Sequence, residues 1–280
     1  MTQNRDHDGQ QDDNLQQATE QPPVLTYEEQ DHVGILTLNR PEAMNSLNYE
    51  LYMALEDQVR SCSARALVLT GAGKAFCAGD DVKAILGSSA GPPTEAVERS
   101  RATGGLTPAA DALLHTNVPV IAAVNGAAVG WGMELALMAD LRVASTAAKF
   151  GELFVVRGLC CDAPGLGRLA QLVGRETATE WLLTGRVFGA QEAQERGLVS
   201  RVVEPEQLLP AALDLARQIA ANPPLAVQAI KAGLRETLDP NWRAVGRWAI
   251  DEITRLRKTE DSKEGVRAFL EKREPVYQGR

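Results

Sequence analysis

The stretch VNGAAVGWGMELALMAD, Val124 to Asp140, runs from apolar residues through Gly126, Gly130 and Gly132 and then sets one carboxylate, Glu134, between apolar Met133 and Leu135. Where a strand ends in glycine and a helix begins, the first backbone N–H groups of the helix have no intrahelical acceptor, and the helix dipole favours negative charge there. A second junction of this kind lies upstream, where ALVLTG (66–71) leads into the glycine-rich GAGKAFCAGDD (71–81). Two such ends brought together would form a hole for a developing oxyanion, in which one donor contributes about 3 kcal/mol to a transition state. Glycine lets a ligand approach the backbone closely, although tight strand–helix packing alone would also call for it. Glu134 at such a junction either moves a proton to or from a carbon acid or is simply a partner of the helix dipole, worth under about 1 kcal/mol.

Outward from these junctions, the chain reads as α/β. Val33, Ile35 and Thr37 alternate with Gly34, Leu36 and Leu38 as a strand, and the Asp31–His32 pair before them offers a hairpin turn. Leu47, Leu51, Ala54, Leu55 and Val59 mark a helical face. A helix around PAADALLHT (108–116), a buried strand in VPVIAAVNG (118–126) and a strand LRVAS (141–145) follow, and Pro164 and Gly165 open a further helix. The segment 84–106, rich in Gly, Ser and Pro, reads as a lid over a binding pocket. Strand and helix alternate over 23–205, and from Glu206 to the C-terminus the pattern is helical. Residues 1–22 are polar, carry five carboxylates against one arginine, and read as a disordered leader.

Composition narrows the function. The net charge of −8 argues against a nucleic-acid-binding surface, which needs a basic excess. Three histidines, four cysteines without CxxC spacing and no GxSxG elbow leave neither a zinc site nor a Ser-His-Asp triad in view. No apolar run approaches the roughly 20 residues of a membrane span, and the expected location is the cytoplasm, with reduced thiols. Cys77, Cys160 and Cys161 read as small buried hydrophobes.

The stretches GILTLNRPEAMNSLN, ALVLTGAGKAFCAGDDVK, PVIAAVNGAAVGWGMELALMADLRVAS, KFGELFVVRGL and LLTGRVFGAQEAQERGLVSRVV, in this order, resemble the enoyl-CoA hydratase/isomerase (crotonase) superfamily over everything after the leader. The resemblance implies a crotonase/ClpP-like spiral of ββα units with a C-terminal helical trimerisation region, here 206–280 after a 23–205 core. It also implies an acyl-CoA substrate, no cofactor beyond the coenzyme A that the substrate carries, no metal, no nucleic-acid or membrane partner, and a homotrimer or dimer of trimers. By position, the oxyanion-hole N–H groups fall on Asp80, after Ala78 and Gly79, and on Trp131, after Gly130. Ala43, Asp81, Val82 and Phe154 fall at further substrate-binding positions, and Glu134 matches the first of the two hydratase glutamates. The indole of Trp131 either narrows the acyl pocket or packs into the core.

The second hydratase glutamate falls on Phe154, whose ring cannot activate water. Asp162 falls where dienoyl-CoA isomerases and ring-isomerising relatives carry a catalytic aspartate, while its residue type ahead of Pro164 also suits a helix N-cap. Glu152 reads as a surface or trimer-contact residue. Lys83, Arg40, Lys231, Lys272 and Arg273 are candidates for coenzyme A contacts, set against a plain reading as solvated charges. The expected activity is isomerisation of an enoyl-CoA double bond, with hydration kept within the reading; the rival is an acyl-CoA-binding protein with weak or no catalysis.

Overall fold

The computed structural model describes residues 22–85, 92–103 and 106–280; the leader up to residue 21 lies outside the described residues, as do 86–91 and 104–105. The chain opens with β1 (Leu25–Gln30) and β2 (Val33–Leu38), followed by α1 (Tyr49–Ser61), β3 (Ala66–Gly71) and β4 (Ala75–Cys77). Then come α2 (Val82–Ile85), α3 (Thr94–Ala102), α4 (Pro108–His115), β5 (Val120–Val124), β6 (Ala127–Val129) and α5 (Trp131–Met138). A third passage holds β7 (Leu141–Ser145), β8 (Lys149–Gly151), α6 (Ala163–Gly167), α7 (Leu169–Val173), α8 (Arg175–Thr184), β9 (Phe188–Gly189), α9 (Ala190–Glu195) and β10 (Arg201–Val203). The chain closes with α10 (Pro205–Ala220), α11 (Pro224–Leu238), α12 (Trp242–Leu256) and α13 (Glu260–Glu271).

From β3 to β8 successive strands alternate between two sheets. One sheet has the order β1-β2-β3-β5-β7-β10 and the other β4-β6-β8-β9, so each strand–strand–helix unit adds one strand to each sheet and the chain winds as a spiral. The expected ββα architecture is thus present. Asp31 and His32 form the β1–β2 turn with φ of 52° and 64°, a conformation with the twist that a two-residue hairpin needs. Asn48 caps α1 by accepting the Leu51 N–H at 2.9 Å, and Leu51, Leu55 and Val59 bury the face below it.

Parallel strands covered on both sides are apolar throughout, and β5 is buried at every position. Its alternate residues serve two cores. Val120, Ala122 and Val124 face the main core, while Ile121 and Ala123 pack with Leu208, Ala212 and Ala216 of α10, which recur every fourth residue.

All eight residues of α5 are buried. Its C-terminal carbonyls are met by two guanidinium groups: Arg142 donates to Ala136 O and Ala139 O, and Arg168 donates to Leu137 O and Met138 O. This fixes α5 and, with it, Glu134. The segment 84–106, the expected lid, is helical in part of its described length. It contains α3, tied to α1 by Arg99, which pairs with Glu56 and Asp57. A helix at this point depends on partners some forty residues away, which local composition does not report.

Candidate functional site

Because β4 and β6 pair in parallel, their C-terminal ends lie side by side. After β4 the chain passes through Gly79 (φ +90°) to Asp80, which bridges Leu47. The bonds of that bridge run from the Leu47 N–H to Gly79 O and from the Asp81 N–H to Leu47 O, so the Asp80 N–H stays outside the pairing. After β6 the chain turns at Gly130 (φ +53°) into α5, where the Trp131 N–H stands at the first helical position without an intrahelical acceptor. A Cβ on Gly79 would lie 3.3 Å from the Trp131 nitrogen, so only glycine leaves the space between the two junctions open. Gly132 is a packing glycine, since a Cβ there would meet Cys77 O at 1.9 Å.

A cavity of about 550 Å³ lies over this junction. Of the residues expected at the site, Asp80, Trp131, Phe154 and Asp162 line it. The walls also include Tyr52 and Met53 of α1, Ala96 and Val97 of α3, and Ile250, Ile253 and Arg257 of α12. The contributions of α1 and α12 carried no sequence signal, because nothing local brings either helix to the cavity. Ala43, Ala78, Gly79, Asp81, Val82 and Gly130 stand around the cavity rather than on its wall. Ala43 belongs to a short 3-10 turn, Ala78 donates its N–H to Met44 O, and Asp81 accepts from Arg40 (3.0 Å) and from the Ala84 N–H.

Trp131 is both packed and on the cavity wall. Its indole is 4% exposed, lines the cavity, meets the Tyr52 ring edge-on at 4.8 Å, and donates from Nε1 to Asp162 Oδ2 at 3.2 Å. The Tyr52 hydroxyl donates to Asp80 Oδ1 at 2.6 Å. Asp162 is the N-cap of α6, accepting the Ala163 N–H at 2.8 Å, and faces the cavity as well. Glu134 is 0% exposed. Its Oε1 accepts the Asp162 N–H at 2.9 Å and its Oε2 the Gly165 N–H at 2.7 Å, so it sits directly behind Asp162.

Burial raises Glu134, Asp162 and Asp80. It pushes Glu134 well above the usual carboxylate range, with the charges of Glu152 and Asp162 adding to it and the two backbone donors opposing. Burial also raises Asp162, against its Ala163 and indole donors, and raises Asp80, against the Tyr52 hydroxyl and the Arg257 charge. Cys77, Cys160 and Cys161 are held as thiols: burial pushes Cys77 up to about 12, Cys160 up to about 11, and Cys161 well above its ordinary value.

Several expectations are corrected. Glu152 is not a surface residue: it is 1% exposed, and neither carboxylate oxygen has a hydrogen-bond partner among the described residues. Lys231 is buried and donates to Val118 O and Asp140 Oδ2, both at 2.7 Å. Arg40 is held by Ser46 O and Asp81, Arg273 by Glu264, and Lys272 caps α13 in a left-handed conformation. The side chains of Lys231, Arg40 and Arg273 are engaged in these contacts and none of the three lines the cavity. Among the described residues no cluster of His, Cys, Asp and Glu is arranged to hold a metal ion, and no helix is long and apolar enough to cross a membrane.

The enoyl-CoA hydratase/isomerase family profile matches residues 28–280. The (E)-benzylidenesuccinyl-CoA hydratase of Thauera aromatica is 41% identical over 264 residues, spanning 91% of this chain and 99% of that protein. The 1,2-epoxyphenylacetyl-CoA isomerase of Escherichia coli is 37% identical over 266 residues, spanning 89% of this chain and 95% of that protein. Among solved structures, a carnitinyl-CoA hydratase from Mycobacterium avium superposes with a TM-score of 0.81 at 36% identity, covering 93% of this chain and 100% of that one.

Proposed function

The chain belongs to the enoyl-CoA hydratase/isomerase family, and from that premise we propose that it forms a thioester enolate of an enoyl-CoA in the hole made by the Asp80 and Trp131 N–H groups. Glu134 moves the proton, and Asp162, whose carboxylate faces the cavity, is the second proton-transfer group. In isomerisation the base takes a proton from the carbon next to the thioester, the electron pair spreads onto the thioester oxygen, and the two N–H groups hold that oxygen while the proton returns at the far carbon of the original double bond, leaving the new double bond beside the thioester. One acid/base group suffices for this; hydration needs a positioned water as well. Phe154 on the cavity wall therefore favours isomerisation, with hydration kept within the claim. The observation that carries the reading is the pair of free N–H groups at adjacent strand ends, beneath a cavity walled by Asp162 with Glu134 hydrogen-bonded behind it.

The test is incorporation of deuterium at the α-carbon, followed by mass spectrometry on saturated, 2-enoyl- and 3-enoyl-CoA thioesters. Exchange or double-bond migration is expected in the wild type and is expected to vanish in Glu134→Gln; equal exchange in both proteins would overturn the assignment of Glu134.

A second reading, an acyl-CoA-binding protein with weak or no catalysis, is favoured by the complete burial of Glu134. It predicts thioester binding without exchange in any variant. We further propose a cytoplasmic homotrimer or dimer of trimers, supported by the exposed apolar residues Leu225, Ile230, Leu234 and Leu238 along α11. A monomer by light scattering at micromolar concentration would contradict this.

A further inference from the structure

The cavity over the two strand-end junctions has charged side chains of both signs on its wall: Glu56, Asp80 and Asp162 against Arg99, Arg101 and Arg257. The three carboxylates already have donors. Glu56 is held by Arg60 and Arg99, Asp80 accepts from the Tyr52 hydroxyl, and Asp162 accepts from the Trp131 indole and the Ala163 N–H. Arg99 in turn is engaged by Glu56, Asp57 and Glu95. Arg101 of α3 and Arg257 at the end of α12 differ from it: both stand on the wall, and among the described residues neither guanidinium makes a hydrogen bond or an ion pair. Burial raises Asp80 and Asp162, so the wall carries less negative charge against these two cations than its number of carboxylates suggests.

The helix that carries Arg257 shows what lies before it. Ile250, Ile253 and Arg257 follow one another at spacings of three and four, so a single face of α12 turns two apolar side chains and then a cation toward the cavity. Met53 of α1 and Ala96 and Val97 of α3 extend the apolar wall. Ile250 is 47% exposed, apolar surface that a hydrocarbon chain in the cavity would cover. Arg257 stands toward the hole as well: after burial and the Tyr52 hydroxyl, its charge is the strongest influence on Asp80, the residue that supplies one of the two free N–H groups. The phosphates of coenzyme A are separated from the thioester by the whole pantetheine arm. An anion that meets Arg257 while the thioester oxygen sits in the hole therefore belongs to the acyl group.

We propose that Arg257, with Arg101 on the same cavity wall, receives a second carboxylate carried by the acyl group, so that the substrate class is the coenzyme A monothioester of a dicarboxylic acid. The inference rests on the reading of this cavity as the acyl-CoA site. A guanidinium offers a carboxylate two parallel N–H donors, a match that a methyl end cannot make. Arg257 thus acts on specificity: it selects the acyl group and takes no part in moving the proton.

The experiment is calorimetric binding of saturated thioesters, which have no double bond to shift, in matched pairs: succinyl-, glutaryl- and adipoyl-CoA against butanoyl-, pentanoyl- and hexanoyl-CoA. In the wild type at least one dicarboxylic thioester is expected to bind about tenfold more tightly than its methyl-ended partner, the scale of one charge-assisted contact. Added salt is expected to narrow that ratio, because Arg257 and Arg101 are exposed to solvent. Arg257→Gln is expected to bring the ratio close to one, Arg257→Lys to keep part of it, and Arg101→Gln to lower it by less. Equal or weaker binding of all three dicarboxylic thioesters by the wild type would overturn the inference without any variant. A ratio that survives in the double variant Arg101→Gln/Arg257→Gln would overturn it too. So would an equal loss for both members of each pair in Arg257→Gln, which would assign Arg257 to the coenzyme A moiety. Failure of every thioester to bind would overturn the acyl-CoA reading together with the inference, whereas α-proton exchange in Glu134→Gln bears on the proton-transfer reading alone.

Discussion

Two groups of acids stand by the cavity, and they are built in opposite ways. Glu56, Asp57 and Asp111, on α1 and α4, are bracketed by cations: Arg60 meets Glu56 and Asp111 at 2.9 Å, and Arg99 meets Glu56 at 3.0 Å and Asp57. Asp111 is held below the usual carboxylate range by His115 and then by Arg60, with burial opposing. Glu134, Asp162 and Glu152 have only N–H donors or nothing, and burial pushes all three up. The same residue type thus serves as a charged strut in the first group and as a holder of protons in the second. What differs is whether a cation lies within reach, since a partner stabilises the ionised form and a dry unpaired site favours the neutral one.

Substitutions break this contrast in order of expected effect. Asp162→Asn keeps an N-cap, because asparagine caps helices as well as aspartate does, but removes the titrating group. We expect exchange to fall at least about 100-fold, the scale of a proton-transfer group, with little change in melting temperature. A parallel loss of both would mean that Asp162 acts only as a cap. Arg60→Met leaves Glu56 and Asp111 short of a partner, and we expect destabilisation of about 1–2 kcal/mol in urea unfolding, below the cost of breaking a buried pair because the Arg60 side chain is 45% exposed.

Glu152→Gln should act in the opposite direction and stabilise the protein. Its folded pKa lies above the ordinary 4.5, so the stability that Glu152 provides is present below that value and is lost as pH rises toward the folded pKa. The variant is therefore expected to melt a few degrees higher than the wild type at neutral pH, with the gap closing toward pH 4.5. The smallest effect belongs to His115. Its pKa is raised by Asp111, so its contribution is full below the ordinary 6.5 and disappears as pH rises through the raised value, while Asp111 contributes above 3.8 and loses that as pH falls through its lowered value. His115→Gln should lower the melting temperature slightly near pH 6 and leave it unchanged near pH 9.

Much of this was legible in the sequence, for reasons that differ from residue to residue. The Asp31–His32 turn, the Asn48 cap and the leucine face of α1 depend on neighbours within four positions, and there the local pattern suffices. The strand-to-glycine junctions at Gly79 and Gly130 were readable because close backbone approach permits so few residue types. α3 was not readable, since its anchor Arg99 reaches back to residues 56 and 57. Lys231 looked like a surface charge because its partners, Val118 and Asp140, lie about a hundred residues away.

By itself, then, the sequence determined the order of strands and helices and the two strand-to-glycine junctions at Gly79 and Gly130, because periodicity, capping and glycine geometry act over a few residues. Only the tertiary structure decided which acids are paired and which are left dry. That depends on whether a cation from a distant segment comes within reach of a carboxylate, and for Glu134, Asp162 and Glu152 the packing of α5 against the loop before α6 brings none.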